Sequence, residues 1–129
     1  RFLVADWIQV DASGYDTLVA NPPFCVAGKN YRRYFIDTLI LDAHKLVRPG
    51  GKLIFIQSSM ADFPRTIRLM EDCGMTVQIL GEKEYPFRDY YFEDPTFMTE
   101  MDSVADSYTL RDGIRYERLR VFEGTLPED

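Results

Sequence analysis

Short apolar runs alternate with longer amphipathic stretches along the chain. Tyr15–Ala20 and residues 53–56 are two such runs, and residues 76–80 form a third. Apolar runs of this length are typical of strands that are covered on both faces of a parallel sheet. We therefore predict strands over Tyr15–Ala20, residues 52–57 and residues 76–80.

Two stretches between these strands have the spacing of amphipathic helices. The first is predicted over residues 31–47, with Asn30 as its cap and Arg48-Pro49-Gly50-Gly51 as its end. Its apolar face consists of residues three or four positions apart: Phe35, Leu39, Ala43 and Leu46. The second helix is predicted to begin after Asp62 and to end at Gly74.

The pair Asp112-Gly113 lies between two further runs, residues 108–110 and 114–122. A pair of this type between two strands predicts a tight hairpin. The whole order is strand, helix, strand, helix, strand and hairpin. This order predicts an α/β fold with a mostly parallel sheet and an antiparallel last strand.

The composition is that of an ordinary globular domain. The chain has 129 residues, 46% of them hydrophobic and 28% charged, so we expect one domain over residues 1–129. The net charge of −6 disfavours a nonspecific nucleic-acid binder, which needs a basic surface. The apolar runs are too short to cross a membrane, and Cys25 and Cys73 lack the spacing of a metal site. We expect a cytoplasmic protein with reduced thiols and no membrane partner.

The tetrapeptide Asn21-Pro22-Pro23-Phe24 follows the first of these predicted strands and is the strongest candidate site. Open α/β sheets bind ligands at the carboxyl ends of their strands. The amide oxygen of Asn21 accepts hydrogen bonds from an NH2 group, and the prolines remove competing N–H donors. Phe24 offers a flat face on which a planar group stacks. These residues are either catalytic residues for chemistry on a planar amide or amine, or an ordinary Pro-Pro turn.

The segment YDTLVANPPF resembles the fourth motif of class I S-adenosylmethionine (AdoMet) methyltransferases that carry an Asn-Pro-Pro-Tyr or Asn-Pro-Pro-Phe site. Downstream, LDAHKLVRPGGKLIFIQSS and MEDCGMTVQIL are similar to the later helices and strands of the same fold. The resemblance implies a Rossmann-like fold, AdoMet as the cofactor and transfer of a methyl group to a planar nitrogen. It places the acceptor at Asn21, Pro22, Pro23 and Phe24.

The start of the chain resembles the third strand of that fold and its terminal acidic residue. The resemblance implies that Asp6 accepts a hydrogen bond from the adenine amino group of AdoMet, with Trp7 packed nearby. The glycine-rich cofactor loop of the family has no counterpart before Asn21, where Gly14 is the only glycine. We therefore expect the carboxyl-terminal portion of a larger methyltransferase, inactive by itself. The missing first strand predicts an open edge at residues 17–20 and self-association of the chain.

The acceptor is left open by the motif. The stretch IFIQSS is loosely similar to glutamine methyltransferases of the archaeal and eukaryotic release-factor type, which weakly favours a protein glutamine. One alternative is an adenine or guanine amine in RNA or DNA, which would have to be flipped out of its stack. Another alternative is a non-catalytic module of this fold that only binds a partner.

Residues 84–106 form an acidic and aromatic insertion that the minimal fold does not need. It is either a flap that recognises a substrate or partner, or an extension whose aromatic side chains pack on the core, and packing is favoured. His44 is expected to be a half-exposed helix residue. Ser58 and Ser59 follow a strand at the ligand edge, where helix capping is favoured over substrate contact.

Overall fold

The computed structural model describes residues 2–4, 14–21, 29–87, 93, 95–104 and 107–128. Six strands and three α-helices occur within these residues, in the order β1 Phe2–Val4, β2 Tyr15–Ala20, α1 Lys29–Leu46, β3 Val47–Ser58, α2 Phe63–Asp72, β4 Thr76–Pro86, α3 Pro95–Ser103, β5 Thr109–Arg111 and β6 Ile114–Thr125. A short 3-10 turn, Ser59–Ala61, connects β3 to α2.

All six strands belong to one sheet. Its order is β1-β2-β3-β6-β4, and β5 pairs with β6 beyond the end of β3. The pairs β1–β2 and β2–β3 are parallel, whereas β6 runs antiparallel to β3, β4 and β5. The predicted α/β fold with an antiparallel last strand is therefore confirmed.

The main core lies on the sheet face that α1 and α2 cover. Leu18, Phe55 and Phe122 of the sheet and Leu39 of α1 are completely buried in one apolar cluster. The other face of β2 and β3 is only half-buried, since Val19, Ile54 and Ile56 keep partial exposure. We predicted a sheet covered on both faces. Among the described residues, helices α1 and α2 cover one face of β2 and β3, and the opposite face is half-buried.

The turn after α1 explains why β3 is longer than predicted. The helix ends at Leu46, and Tyr15 of β2 is registered with Val47 while Thr17 is registered with Lys52. The four intervening residues of β3 therefore bulge opposite the single residue Asp16. Gly51 is needed there because a Cβ atom would lie 2.5 Å from a methyl carbon of Val47.

The two helices that flank β3 test the cap predictions. The carboxylate of Asp62 accepts a hydrogen bond from the backbone N–H of Arg65 at 3.1 Å, so Asp62 caps α2 as predicted. The prediction for Asn30 was wrong, because the helical hydrogen-bond pattern of α1 already includes Lys29 and Asn30.

None of the helices in the described ranges is both long and apolar enough to cross a bilayer.

The expected open edge of β2 is occupied. Residues 2–4 pair in parallel with residues 17–19 of the same chain, with Leu3 registered to Leu18. The prediction of an unpaired edge is wrong for these residues, because β1 takes the place beside β2 that was assigned to a missing strand. The self-association inferred from that edge stays a prediction.

The proposed insertion divides into parts with different structures. Residues 84–86 belong to β4, which is six residues longer than predicted because β6 pairs with it as far as Pro86. Phe87 is buried and packs edge-on against Tyr108, with ring centroids 5.6 Å apart. Packing therefore accounts for Phe87. Tyr90, Tyr91 and Phe92 lie outside the described residues.

Candidate active site

The carboxyl ends of β2 and β3 meet at one edge of the sheet. Asn21 directly follows β2, whose last residue, Ala20, is registered with Phe55 of β3. β3 continues to Ser58, so it projects past the end of β2 at this edge. Asn21 is exposed, and its side chain is thus available to a ligand at the position where α/β sheets bind ligands.

A shallow depression of about 270 Å³ begins at Asn21. It extends over three neighbouring strands and is lined by Val19, Ala20, Asn21, Ile54, Phe55, Ile56 and Val121. Val121 is registered with Ile56, which places both residues at the same level of the sheet. An apolar floor with one amide at its rim is therefore the chemistry that this edge presents.

This arrangement suits a flat ligand with an N–H group. Half-buried Ile54, Ile56 and Val121 offer apolar surface against which a planar group packs. The oxygen of the Asn21 amide accepts a hydrogen bond, while its nitrogen donates. A single polar group beside an apolar surface fixes the orientation of such a ligand rather than its affinity.

Only one of the six predicted site residues belongs to the described part of the chain. Asn21 lies where the sequence placed it, at the carboxyl end of a buried strand. Pro22, Pro23 and Phe24 fall outside the described residues, and so do Asp6, Trp7 and Cys25. Their assignments stay predictions.

Ile56 and Val121 line the depression but were not predicted as site residues. The signal was present in the strand pattern, because alternate residues of β3 point to opposite faces of the sheet. It was missed because an unbroken apolar run was taken to mean burial on both faces.

A network of buried polar side chains follows the end of β3. The Ser58 hydroxyl accepts a hydrogen bond from the N–H of Met60 at 3.2 Å and donates one to Glu117 at 3.0 Å. Ser58 therefore caps the 3-10 turn, as expected. Glu117 was missed, because its acidic side chain in a strand of alternating charges looks like a solvent-exposed one.

Gln57 and Thr66 anchor the same turn from the α2 side. The Gln57 side-chain nitrogen donates to the carbonyl of Ala61 at 3.0 Å, and the Thr66 hydroxyl donates to the Gln57 side-chain oxygen at 2.8 Å. Both side chains are buried, so these bonds are shielded from competing water. The turn beside the depression is consequently fixed by side-chain hydrogen bonds on both sides.

Two other candidates have ordinary surroundings away from the depression. His44 is exposed on α1, more than predicted, and its Nδ1 atom lies 3.0 Å from the carbonyl oxygen of Leu41. Cys73 is a free thiol at the end of α2, and burial raises its pKa, with a further contribution from the negative charge of Asp72. A raised pKa leaves less of the reactive thiolate at neutral pH.

Comparison with known proteins gives the family. Residues 1–86 match the family model of the methyltransferase small domain. The chain belongs to this family. No curated protein sequence matches the chain.

The chain also resembles solved structures, at low identity. The YcgJ protein of Bacillus subtilis is 8% identical, with a TM-score of 0.53, and the match covers 94% of this chain and 68% of that protein. Phosphoethanolamine N-methyltransferase 2 of Haemonchus contortus is 9% identical, with a TM-score of 0.46, and the match covers 93% of this chain and 35% of that enzyme. Likeness to YcgJ at this identity shows the fold alone, which is Rossmann-like.

Proposed function

We propose that this protein takes part in AdoMet-dependent methylation of a planar amide or exocyclic amine. The observation that carries the proposal is the position of the Asn21 amide at the carboxyl end of β2, at the rim of an apolar depression. Membership of a methyltransferase family supports the reaction type. The resemblance around Asn21 supports a nitrogen acceptor.

When bound, AdoMet would supply an electrophilic methyl group to the acceptor nitrogen, whose new N–C bond would replace the broken S–C bond with release of one proton to water. The Asn21 oxygen would accept a hydrogen bond from the acceptor NH2 group and fix the orientation of the acceptor nitrogen. This bond strengthens as positive charge develops on the nitrogen, which favours the transition state. By the resemblance around Asn21 and at the start of the chain, Phe24 would stack on the acceptor, the Pro22 carbonyl would accept its second N–H, and Asp6 and Trp7 would hold the adenine of AdoMet.

The charge distribution supports a protein glutamine as the acceptor. Residues 84–106 contain seven acidic residues and one arginine, so this segment carries a net charge of −6, equal to that of the whole chain. Part of the segment, α3, packs beside the carboxyl end of β3 through Met101 and Met60. A segment of this charge at the end of β3 would repel the phosphates of a nucleic acid, whereas a polypeptide substrate carries no such fixed charge.

A nucleobase amine is the second candidate. The apolar floor of Ile54, Ile56 and Val121 is the observation in its favour, since a flipped base needs a flat apolar surface on which to pack. A non-catalytic module that only binds a partner is the remaining alternative, and it predicts no methyl transfer at all.

The experiment is a transfer assay with AdoMet labelled in its methyl group. The protein, in its longest natural form, is incubated with a pool of glutamine-containing peptides, with RNA and DNA oligonucleotides, and with peptides in which asparagine replaces glutamine. We expect label in the glutamine peptides alone. Label in an oligonucleotide supports the second candidate, and the absence of label in every acceptor contradicts methyl transfer.

A further inference from the structure

The helix α3 lies at the same edge of the sheet as Asn21. Met60 lies in the 3-10 turn that follows β3, and Met101 belongs to α3. Both side chains are completely buried, in a cluster with Phe87 and Val104 that is separate from the main core. The chain therefore builds a second small core at the edge where the candidate site lies.

Ser59 connects three segments at this edge. Its hydroxyl donates a hydrogen bond to the carbonyl of Ser107 at 2.6 Å and accepts one from the backbone N–H of Arg118 at 3.0 Å. The Ser107 hydroxyl in turn donates to the carbonyl of Met101 at 2.5 Å. A continuous chain of hydrogen bonds thus runs from the end of β3 to α3, with a branch to β6.

The hydrogen bonds of Ser59 and Ser107 fix the position of α3 more exactly than the apolar cluster does. Methionine side chains are flexible and adapt to several packing arrangements, so Met60 and Met101 hold α3 against the turn without fixing its exact position. Buried hydrogen bonds are directional, and breaking one leaves an unpaired polar group in an apolar surrounding. Ser59 is fully buried, so water does not compete for its two bonds, and they restrict the positions of the segments that they join.

We propose that Ser59 is a positioning residue that holds α3 as one wall of the acceptor site. The proposal rests on the proposed function, because it assigns the acceptor to the depression beside Asn21. β3 projects past β2 at this edge, so a segment fixed to the end of β3 stands beside an acceptor bound at Asn21. Ser59 acts through Ser107 and α3 and does not contact the acceptor itself.

The test compares two variants that each lose a buried side-chain hydrogen bond at the end of β3. Ser59→Ala loses the link to Ser107, and Thr66→Val loses the bond to Gln57 on the opposite side of the turn. With the glutamine peptide pool as acceptor, Ser59→Ala should raise the acceptor KM about fivefold, the factor of one neutral hydrogen bond, and leave the AdoMet KM unchanged. Thr66→Val loosens the turn from the α2 side but keeps the link to Ser107, so it should raise the acceptor KM less than Ser59→Ala does, and Ser59→Cys should restore part of the acceptor affinity.

Hydrogen exchange gives a second readout that does not depend on activity. Amide exchange in residues 95–103 should become faster in Ser59→Ala, while exchange in residues 36–46 of α1 stays unchanged. Unchanged exchange in residues 95–103 of Ser59→Ala overturns the proposal. So does an acceptor KM that rises by the same factor in Ser59→Ala and in Thr66→Val. If no acceptor is methylated by the wild-type protein, the proposed function fails, and faster exchange then still shows that Ser59 positions α3.

Discussion

Phe122 of β6 stacks on Phe55 of β3, with ring centroids 5.4 Å apart and ring planes 21° from parallel. Phe63 of α2 meets the same Phe122 ring edge-on at 5.4 Å. All three side chains are essentially inaccessible to solvent. The ring of Phe122 therefore joins the antiparallel last strand to both the parallel part of the sheet and the helix that covers it.

Replacement of Phe122 by alanine should destabilise the protein strongly. The variant loses the burial of a large ring and leaves a cavity between β3 and α2, so we expect a loss of about 3–5 kcal/mol in the free energy of unfolding. Urea denaturation followed by circular dichroism measures this loss. Leu110→Ala is the control, because Leu110 is 58% exposed and its truncation should change stability by less than about 0.5 kcal/mol. Equal losses in the two variants would contradict this description of the core.

The order of the main strands and helices along the chain could be predicted from the sequence because each of these elements had a local signal, which α3 inside the insertion did not. The unbroken run at residues 53–56 marked β3, and Asp112-Gly113 marked the hairpin between β5 and β6. The pairing of β1 with β2 had no such signal, since strand partners are set by contacts distant in sequence. The same reason hid Glu117, whose burial depends on the Ser58 hydroxyl 59 positions away.

The position of Asn21 was predictable, but its surroundings were not. A strand that ends in Asn-Pro-Pro marks the candidate site from neighbouring residues alone. The depression also needs Val121, which reaches Ile56 only because β6 returns antiparallel to β3. The registration of distant strands cannot be obtained from hydrophobic periodicity.

Replacement of Asn21 by alanine should lower turnover far more than AdoMet affinity. In the proposed function its amide faces the acceptor, and a positioned hydrogen bond that strengthens in the transition state is worth on the order of 10²–10³ in rate. The measurement is kcat with labelled AdoMet, together with the AdoMet dissociation constant from calorimetry. Asn21→Gln retains the amide but displaces it by one methylene group, so it should also be slow while it binds AdoMet normally. Full activity of Asn21→Ala would show that the tetrapeptide is an ordinary turn without a role in catalysis.

Two glycines in open surroundings should respond oppositely to replacement by alanine. Gly113 has φ = 77° in the hairpin turn, whereas Gly81 of β4 does not have a positive φ. A Cβ atom added at either position would meet nothing within 4 Å. Gly113→Ala should lose about 1–2 kcal/mol of stability, because an L-residue is strained in the left-handed region. Gly81→Ala should gain up to about 1 kcal/mol, because it restricts the unfolded chain. Thermal unfolding of both variants provides the measurement, and a loss of the same size in both would exclude backbone strain as the cause.

Cys73 should react slowly with thiol reagents. Burial and the charge of Asp72 raise its pKa, so at pH 8 a smaller fraction of the thiol is thiolate than in an unfolded peptide. The midpoint of the rise of labelling rate with pH should therefore lie at a higher pH than in the unfolded chain. Iodoacetamide labelling of the Cys25→Ser variant isolates this thiol. Asp72→Asn should accelerate labelling at pH 8, because it removes the neighbouring negative charge, whereas urea should accelerate it further by removing burial. A Cys73 rate equal to that of the unfolded chain would contradict the raised pKa.

Removal of residues 1–4 should increase self-association. These residues include β1, which pairs with residues 17–19, and its loss leaves the backbone groups along that edge of β2 without a partner in the sheet. An exposed apolar strand edge is a template for pairing with a second copy of the chain. Light scattering at matched concentrations should therefore show a larger average mass for the truncated chain than for the intact one. Leu3→Ala is the control, because it changes a side chain but keeps the backbone pairing with Leu18, and its mass should match that of the intact chain. Equal masses for the truncated and intact chains would show that the edge of β2 is not the surface through which copies associate.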